Sequence, residues 1–142
     1  MIKQVSIFIE NSEGQLADVT EILGKNDIDI RALHIAESTD FGVLRLIVND
    51  CEKASGVLSE NVYVSTMTEV AAVSVPDRPG ALSEVLRYLQ ENQLDISYMY
   101  SVFSRISGRA FMVIKVDDPL LAEDILMKKG IHIAQKEELD IK

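Results

Sequence analysis

The chain has 142 residues, 14 Lys and Arg against 23 Asp and Glu for a formal net charge of −9, and 47% hydrophobic residues. That is core material for one ordinary domain or two small ones. The negative field argues against nucleic acid and anionic membrane surfaces as partners. Cys51 is the single cysteine, so an intramolecular disulfide and a cysteine zinc site are excluded, and a reducing, cytoplasmic setting fits best. Met1-Ile2-Lys3-Gln4 leads straight into strand-like alternation without a signal-peptide core, and no apolar run reaches bilayer-spanning length.

Gln4 to Ile9 is β-prone, and a polar turn from Glu10 to Gly14 follows. Leu16, Val19, Ile22 and Leu23 then mark one face of a helix ending near Lys25-Asn26. A strand is expected from Ile28 to Glu37, with a hairpin turn at Ser38-Thr39-Asp40 and Gly42 into Val43–Val48. Asp50 is placed to cap a short helix burying Ala54, Val57 and Leu58. Val62, Val64, Thr66 and Thr68 alternate as a last strand. From Val70 the order starts again. Val73 and Val75 close a strand, Leu82, Val85, Leu86 and Leu89 form a helical stripe, and a strand leads through Val102 to a turn at Ser107-Gly108. Ala110–Val116 returns. Asp118-Pro119 caps a helix with Leu121, Ala122, Ile125 and Leu126 inward, Gly130 stops it, and Ile131-His132-Ile133 begins the final strand.

The order is β-α-β-β-α-β twice, and residues repeat as well as elements. Gly14 and Gly80 lie 66 positions apart, as do Leu16 and Leu82, Val19 and Val85, Leu23 and Leu89, Asn26 and Asn92, Asp29 and Asp95, Ile30 and Ile96, and Gly42 and Gly108. After Gly108 the register slips, read as a longer third strand and second helix in the second copy. Two homologous domains are therefore expected, 1–69 and 70–142, meeting near Glu69-Val70 without a Gly- or Pro-containing linker and packed tightly together. Each is an α+β, ferredoxin-like unit, an antiparallel four-stranded sheet with two helices on one face. Units this small are marginal alone, and side-by-side pairing of the sheets would cover exposed strand edges. Tyr98, Tyr100 and Val102 on one face and Met99 and Phe103 on the other suggest that the second strand of the second unit lies inside a larger sheet.

The candidate site is the turn Val75-Pro76-Asp77-Arg78-Pro79-Gly80-Ala81-Leu82, with an echo in Ile9-Glu10-Asn11-Ser12-Glu13-Gly14-Gln15-Leu16. A turn of this kind leaves backbone N–H groups unpaired at a helix N-terminus beside a short polar side chain, which suits a small carboxylate. Two readings stand at this point: a ligand site, or ordinary turn chemistry with Asp77 or Asn11 as a local cap. Asp29 and Asp95, each at the start of a second strand, add an acid to each copy. Their other reading is as edge-strand gatekeepers.

Both halves resemble ACT domains, small amino-acid-binding modules attached to many enzymes of amino-acid metabolism. Asp77-Arg78-Pro79-Gly80-Ala81-Leu82, followed by Val85, Leu89 and Asp95-Ile96, matches the family's strand-to-helix signature. Glu10-Asn11-Ser12-Glu13-Gly14-Gln15-Leu16 is similar to the Glu-Asn-Arg-Pro-Gly form of phosphoglycerate dehydrogenase, with Ser12-Glu13 where Arg-Pro is usual. The resemblance runs from about Lys3 to Leu139, so no attached catalytic domain is expected. It implies that Asn11 or Asp77 meets the amino group or side chain of an amino acid. The N–H groups around Gly14, Gln15 and Leu16, or Gly80, Ala81 and Leu82, then take its carboxylate, with Ser12 and Arg78 completing the turns. Asp29-Ile30 and Asp95-Ile96 belong to the neighbouring domain's side, giving composite sites of Asn11 with Asp95 and Asp77 with Asp29. Two N–H-rich turns and two carboxylates suit a zwitterion.

No cofactor, metal or catalytic residue is expected. His34 and His132 have no third ligand at metal spacing, Cys51 reads as a buried thiol, and Asp117-Asp118 as a cap beside a solvated charge. Phe8 and Phe111 sit where RNA-binding domains of similar order stack bases, but the accompanying basic motif is missing. The arginine-containing loop of acylphosphatase-like enzymes is missing too. The expected function is a free-standing amino-acid sensor or regulator that self-associates, with a free amino acid as partner. The alternative is a non-catalytic subunit of a biosynthetic enzyme, similar to the small subunit of acetohydroxyacid synthase.

Overall fold

The computed structural model describes residues 1–10, 13–37 and 41–142. They form two compact units, Lys3–Thr68 with Asp140–Lys142 and Glu69–Leu139 with Met1–Ile2. The elements of the first repeat are β1 (Ile2–Glu10), α1 (Gln15–Lys25), β2 (Ile30–Glu37), β3 (Phe41–Val48) and α2 (Cys51–Glu60). The strand β4 (Ser65–Pro76) ends the first repeat and opens the second, which continues with α3 (Ala81–Glu91), β5 (Ile96–Val102), β6 (Arg109–Val116), α4 (Pro119–Lys128) and β7 (His132–Ile133). A 3-10 turn, Lys136–Leu139, follows.

Each repeat is a ferredoxin-like βαββαβ unit. In the first, β3 pairs antiparallel with both β1 and β2, and the Phe8 N–H donates to the Val64 carbonyl just before β4 (3.4 Å). In the second, β4 and β5 flank β6, and β7 pairs with β4, all antiparallel. Alternation assigns one sheet face to the helices. Val5, Ile7 and Ile9 of β1 and Leu44, Leu46 and Val48 of β3 pack with Val19 and Leu23 of α1 and Ala54, Val57 and Leu58 of α2. Val73, Val75, Ile114 and Val116 pack with Ala81, Val85, Leu89, Ala122 and Leu126 in the second repeat.

The helix ends explain several repeated residues. At the C-cap of α1, Asn26 Nδ2 donates to the Ile22 carbonyl (2.8 Å), as Asn92 Nδ2 does to the Tyr88 carbonyl after α3 (2.9 Å). The next residue is left-handed in all four helices, at Asp27, Val62, Gln93 and Gly130. The residue after it closes the turn by donating its N–H to the third helical residue from the end, as Ile28 does to Leu23 (3.0 Å). Asp50 Oδ1 accepts from the Lys53 N–H and Asp118 Oδ1 from the Leu121 N–H, 3.1 Å each, so both second helices carry the expected N-cap.

Five expectations change. The strands placed on either side of Glu69 are one 12-residue strand, β4, and Val62 and Val64 precede it. Ile9 pairs with Gly42 and Val75 with Ala110, so the structural counterpart of Gly42 is Ala110, 68 positions on, and the Gly42–Gly108 match is coincidental. The third strands have eight residues each and the second helices ten. The slip therefore comes from two extra residues between the starts of the second and third strands. Beyond it Val48, Asp50, Ala54 and Leu58 recur 68 positions later as Val116, Asp118, Ala122 and Leu126. β5 ends the strand order and, among the described residues, pairs with β6 alone, stopping at Val102. It is an edge strand, with Tyr100 and Val102 buried and Phe103 exposed beyond it. Leu121, expected inward, is exposed on α4. The Ser38-Thr39-Asp40 turn lies outside the described residues.

Candidate functional site

The turn between β4 and α3 is built from short-range constraints. The Asp77 N–H donates to the Gly108 carbonyl (2.9 Å), strapping the turn to the end of the β5–β6 hairpin, and the Arg78 N–H donates to the Pro76 carbonyl (2.9 Å). Gly80 then takes φ 87°, ψ −16° as the N-cap of α3, a left-handed conformation costly for any residue with a Cβ. The Ala81 N–H reaches the Arg78 carbonyl (3.3 Å), and the helical pattern starts with Glu84 N–H to the Gly80 carbonyl (3.2 Å). The N–H groups of Leu82 and Ser83 make no hydrogen bond among the described residues. They are the open donors of the helix N-terminus, where the aligned peptide dipoles also favour an anion.

Among the described residues, no side chain caps this helix. The cap reading of Asp77 is therefore corrected: its carboxylate is exposed and makes no hydrogen bond or ion pair among the described residues. Arg78 is held over the turn instead, donating from Nη1 to the Pro79 carbonyl (3.3 Å) and from Nη2 to Glu84 (3.2 and 3.3 Å). A Cβ added to Gly80 would meet only Arg78 Nη1, at 4.0 Å, so the space above the glycine is open. The Ser83 hydroxyl donates to the Gly80 carbonyl (2.8 Å). Below the turn Arg109 Nε donates to Ser74 Oγ (2.9 Å) and Nη2 to the Ser74 carbonyl (2.6 Å). The turn thus offers two N–H donors, one carboxylate without a partner among the described residues, and one exposed guanidinium paired with Glu84.

The first repeat has the same frame. Gly14, at φ 84°, is the N-cap of α1, again without a side-chain cap among the described residues. Asn11 and Ser12 lie outside the described residues. Gln15 opens the helix with its Oε1 buried and unpartnered among the described residues, and Leu16 is half-buried against the core. Ala81, the counterpart of Gln15, points into the core of its own repeat.

The two acids differ. The Asp29 N–H donates to Asn49 Oδ1 (2.9 Å) and Asp29 Oδ2 accepts from Arg31 (3.2 Å). Asp95 is exposed without a partner among the described residues. Ile30 and Ile96, the first residues of β2 and β5, are half-buried against their cores. Asp29 follows the C-terminus of α1 and Asp95 that of α3, whereas the glycine turns precede those helices. Eleven residues make a helix about 16 Å long, so one repeat does not bring its own turn and its own acid together. Ser83 and Glu84 are turn contributors that the sequence analysis did not single out. Arg78 and Glu84 lie six positions apart on opposite sides of Gly80, a spacing that belongs to no local turn or capping pattern.

Other candidates resolve locally. Among the described residues, no group of three or more His, Cys, Asp or Glu is placed to hold a metal ion, and no helix is long and apolar enough to cross a membrane. Cys51 is half-buried at the start of α2. Phe111 is buried, whereas Phe8 is exposed and packs edge-on against Phe41 at 6.5 Å. Burial, then Arg45 on the paired strand, holds the His34 pKa below its ordinary value. His132 Nε2 lies 2.7 Å from Glu138 Oε1. The Gln135 N–H, and after it His132, lower the Glu138 pKa.

A family model described as an ACT domain pair matches residues 1–141. Among solved structures, protein BT0572 from Bacteroides thetaiotaomicron is similar at 40% identity and a TM-score of 0.90, covering 98% of this chain and 95% of that one. The ligand-free regulatory subunit of aspartate kinase from Thermus thermophilus is similar in fold alone, at 12% identity and a TM-score of 0.66 over 89% of this chain and 90% of that one. The corresponding subunit from Thermus flavus matches at 12% identity and a TM-score of 0.60 over 90% and 92%. No curated protein matches the chain. With its two βαββαβ repeats and glycine-capped strand-to-helix turns, the chain belongs to the ACT domain pair family.

Proposed function

We propose that the chain binds a free amino acid through its strand-to-helix turns and acts as a regulator rather than a catalyst. Each repeat, 1–69 and 70–142, is in this reading an amino-acid-binding domain. The observation that carries it is the β4–α3 turn, in which the Leu82 and Ser83 N–H groups and the Asp77 carboxylate all lack partners among the described residues. A carboxylate takes the N–H pair through charge-assisted hydrogen bonds, and an ammonium takes Asp77. Asn11, Ser12, Gly14, Gln15 and Leu16 form the corresponding set in the first repeat. Asp29-Ile30 and Asp95-Ile96 serve turns other than their own. The acids favour a small neutral or basic amino acid over an acidic one. A cytoplasmic setting and self-association complete the proposal.

Binding that favours one packing of the repeats would convert occupancy into a signal. The second reading, a non-catalytic enzyme subunit, is favoured by the fold shared with regulatory subunits of aspartate kinase. A thermal-shift screen against the twenty standard amino acids tests the first. A ligand at 100 times its Kd adds about 2.7 kcal/mol to the folded state. A flat response to all twenty, with co-purification of an enzyme whose activity the chain alters, would replace the sensor by the subunit.

A further inference from the structure

The two strand-start acids sit in different electrostatic settings, and the difference involves residues far along the chain. Arg31 has a buried guanidinium, with its side chain 8% exposed, 3.2 Å from Asp29 Oδ2 and 3.7 Å from Asp140 Oδ2. Asn49 clasps the Asp29 backbone from both sides, accepting the Asp29 N–H on Oδ1 (2.9 Å) and donating its own N–H to the Asp29 carbonyl (3.0 Å). The Asn49 carbonyl accepts the Lys142 N–H (2.9 Å), and Lys142 Nζ lies 3.4 Å from Asp50. Residues Asp140–Lys142 thus form a strap fastened to the first repeat at Arg31, Asn49 and Asp50, all within one compact unit. In the second repeat Ser97 stands in the place of Arg31 and Asp117 in that of Asn49, and Asp95 has no such support.

We propose that Arg31 and the Asp140–Lys142 strap are positioning residues that hold Asp29 as an oriented ammonium acceptor; this rests on the amino-acid-binding reading above. Arg31 fixes Oδ2, while Asp29 Oδ1, on a side chain 55% exposed, accepts no hydrogen bond from the described residues. Charge explains why the strap matters. Arg31 by itself would cancel Asp29 and leave no attraction for a cation. Asp140 as third member returns the cluster to a net charge of −1, and burial of the guanidinium keeps the three charges coupled rather than screened. The acid of the first repeat therefore depends on a residue 111 positions away, whereas Asp95 acts as a bare carboxylate.

The test is Asp140→Asn beside wild type, with Asp140→Glu as the conservative control and Arg31→Lys as a cation that cannot bridge two carboxylates in fixed geometry. Hydrogen exchange at the Lys142 amide reads the strap, and calorimetric titration with each of the twenty standard amino acids reads binding. Asp140→Asn is expected to speed Lys142 exchange and to weaken the amino acid that binds wild type, each by about threefold to fivefold, the range of one partly exposed ion pair. Asp140→Glu restores both; Arg31→Lys does not. Unchanged Lys142 exchange in Asp140→Asn overturns the strap. Faster exchange with unchanged affinity overturns the positioning role alone. Wild type that binds none of the twenty overturns the amino-acid reading and the positioning role together.

Discussion

Gly80→Val separates the turn as a fold element from the turn as a binding element. Gly80 sits at φ 87°, and moving a residue with a Cβ into the left-handed region costs about 1–2 kcal/mol. Crowding adds little, because the nearest heavy atom to a new Cβ is Arg78 Nη1 at 4.0 Å, the end of an exposed, flexible side chain. Against a typical stability of about 5–15 kcal/mol the variant stays folded. At about 1–2 kcal/mol its melting temperature drops by roughly 5–10 °C for a unit of this size. Binding suffers more. Two N–H bonds to a carboxylate contribute roughly 1.5–3 kcal/mol each, and a valine side chain both reorients the Leu82 and Ser83 donors and fills the space above them. Losing one such bond lowers affinity by about tenfold to a hundredfold. Circular dichroism melts with calorimetric titration of the amino acid found by screening decide the matter. A variant that melts lower as expected yet binds with wild-type affinity refutes the assignment of the turn, while leaving the account of Gly80 as a helix cap intact.

Val62 has φ 67° at a helix C-terminus where the second repeat has Gly130, and it is 91% exposed. Val62→Gly should therefore stabilise the chain by about 1 kcal/mol, seen as a higher denaturant midpoint at unchanged slope; a lower midpoint would mean that the valine packs against something. Asp118→Ala removes the side-chain cap of α4 and should cost about 1 kcal/mol, again by chemical denaturation, with no effect if the cap bond is not formed in solution. The His34 pKa is held below its ordinary value of 6.5, so the folded chain binds fewer protons than the unfolded one. Stability from this group is complete above about pH 6.5 and falls as the pH drops from there towards the lowered value. His34→Gln should flatten that part of the stability–pH curve, and an unchanged slope between pH 7 and 5 would refute the assignment. Glu138 acts in a separate window: its lowered pKa contributes stability present above its ordinary 4.5 and lost as the pH falls through the folded value.

Much of the fold was legible because the signals are local. Gly14 and Gly80 mark left-handed caps, Asn26 and Asn92 bond back to their own helices, and Asp50 and Asp118 cap the helices that follow. Each needs only a few neighbouring residues, so each leaves a residue type at a fixed spacing. The repeat was read correctly where these spacings match and misread where they do not. A two-residue insertion in one hairpin moves every later match from 66 to 68 positions, and strand register alone shows that Gly42 faces the partner that Ala110 faces. The edge position of β5 was missed because alternation reports which faces are apolar, not whether a neighbouring strand is present.

For the candidate site, residue types and spacing by themselves determined the two glycine turns, the two strand-start acids and the chemistry of a carboxylate beside N–H donors. Tertiary structure decided the setting of each of those groups. Ala81 turns into the core, Asp77 caps nothing, and Asp29, paired with Arg31, differs from its repeat partner Asp95. The reason is range: a turn is specified by its own few residues, whereas the state of a carboxylate depends on which charges the fold brings within a few ångströms, and for Asp29 these include the partner of Arg31 contributed by Asp140.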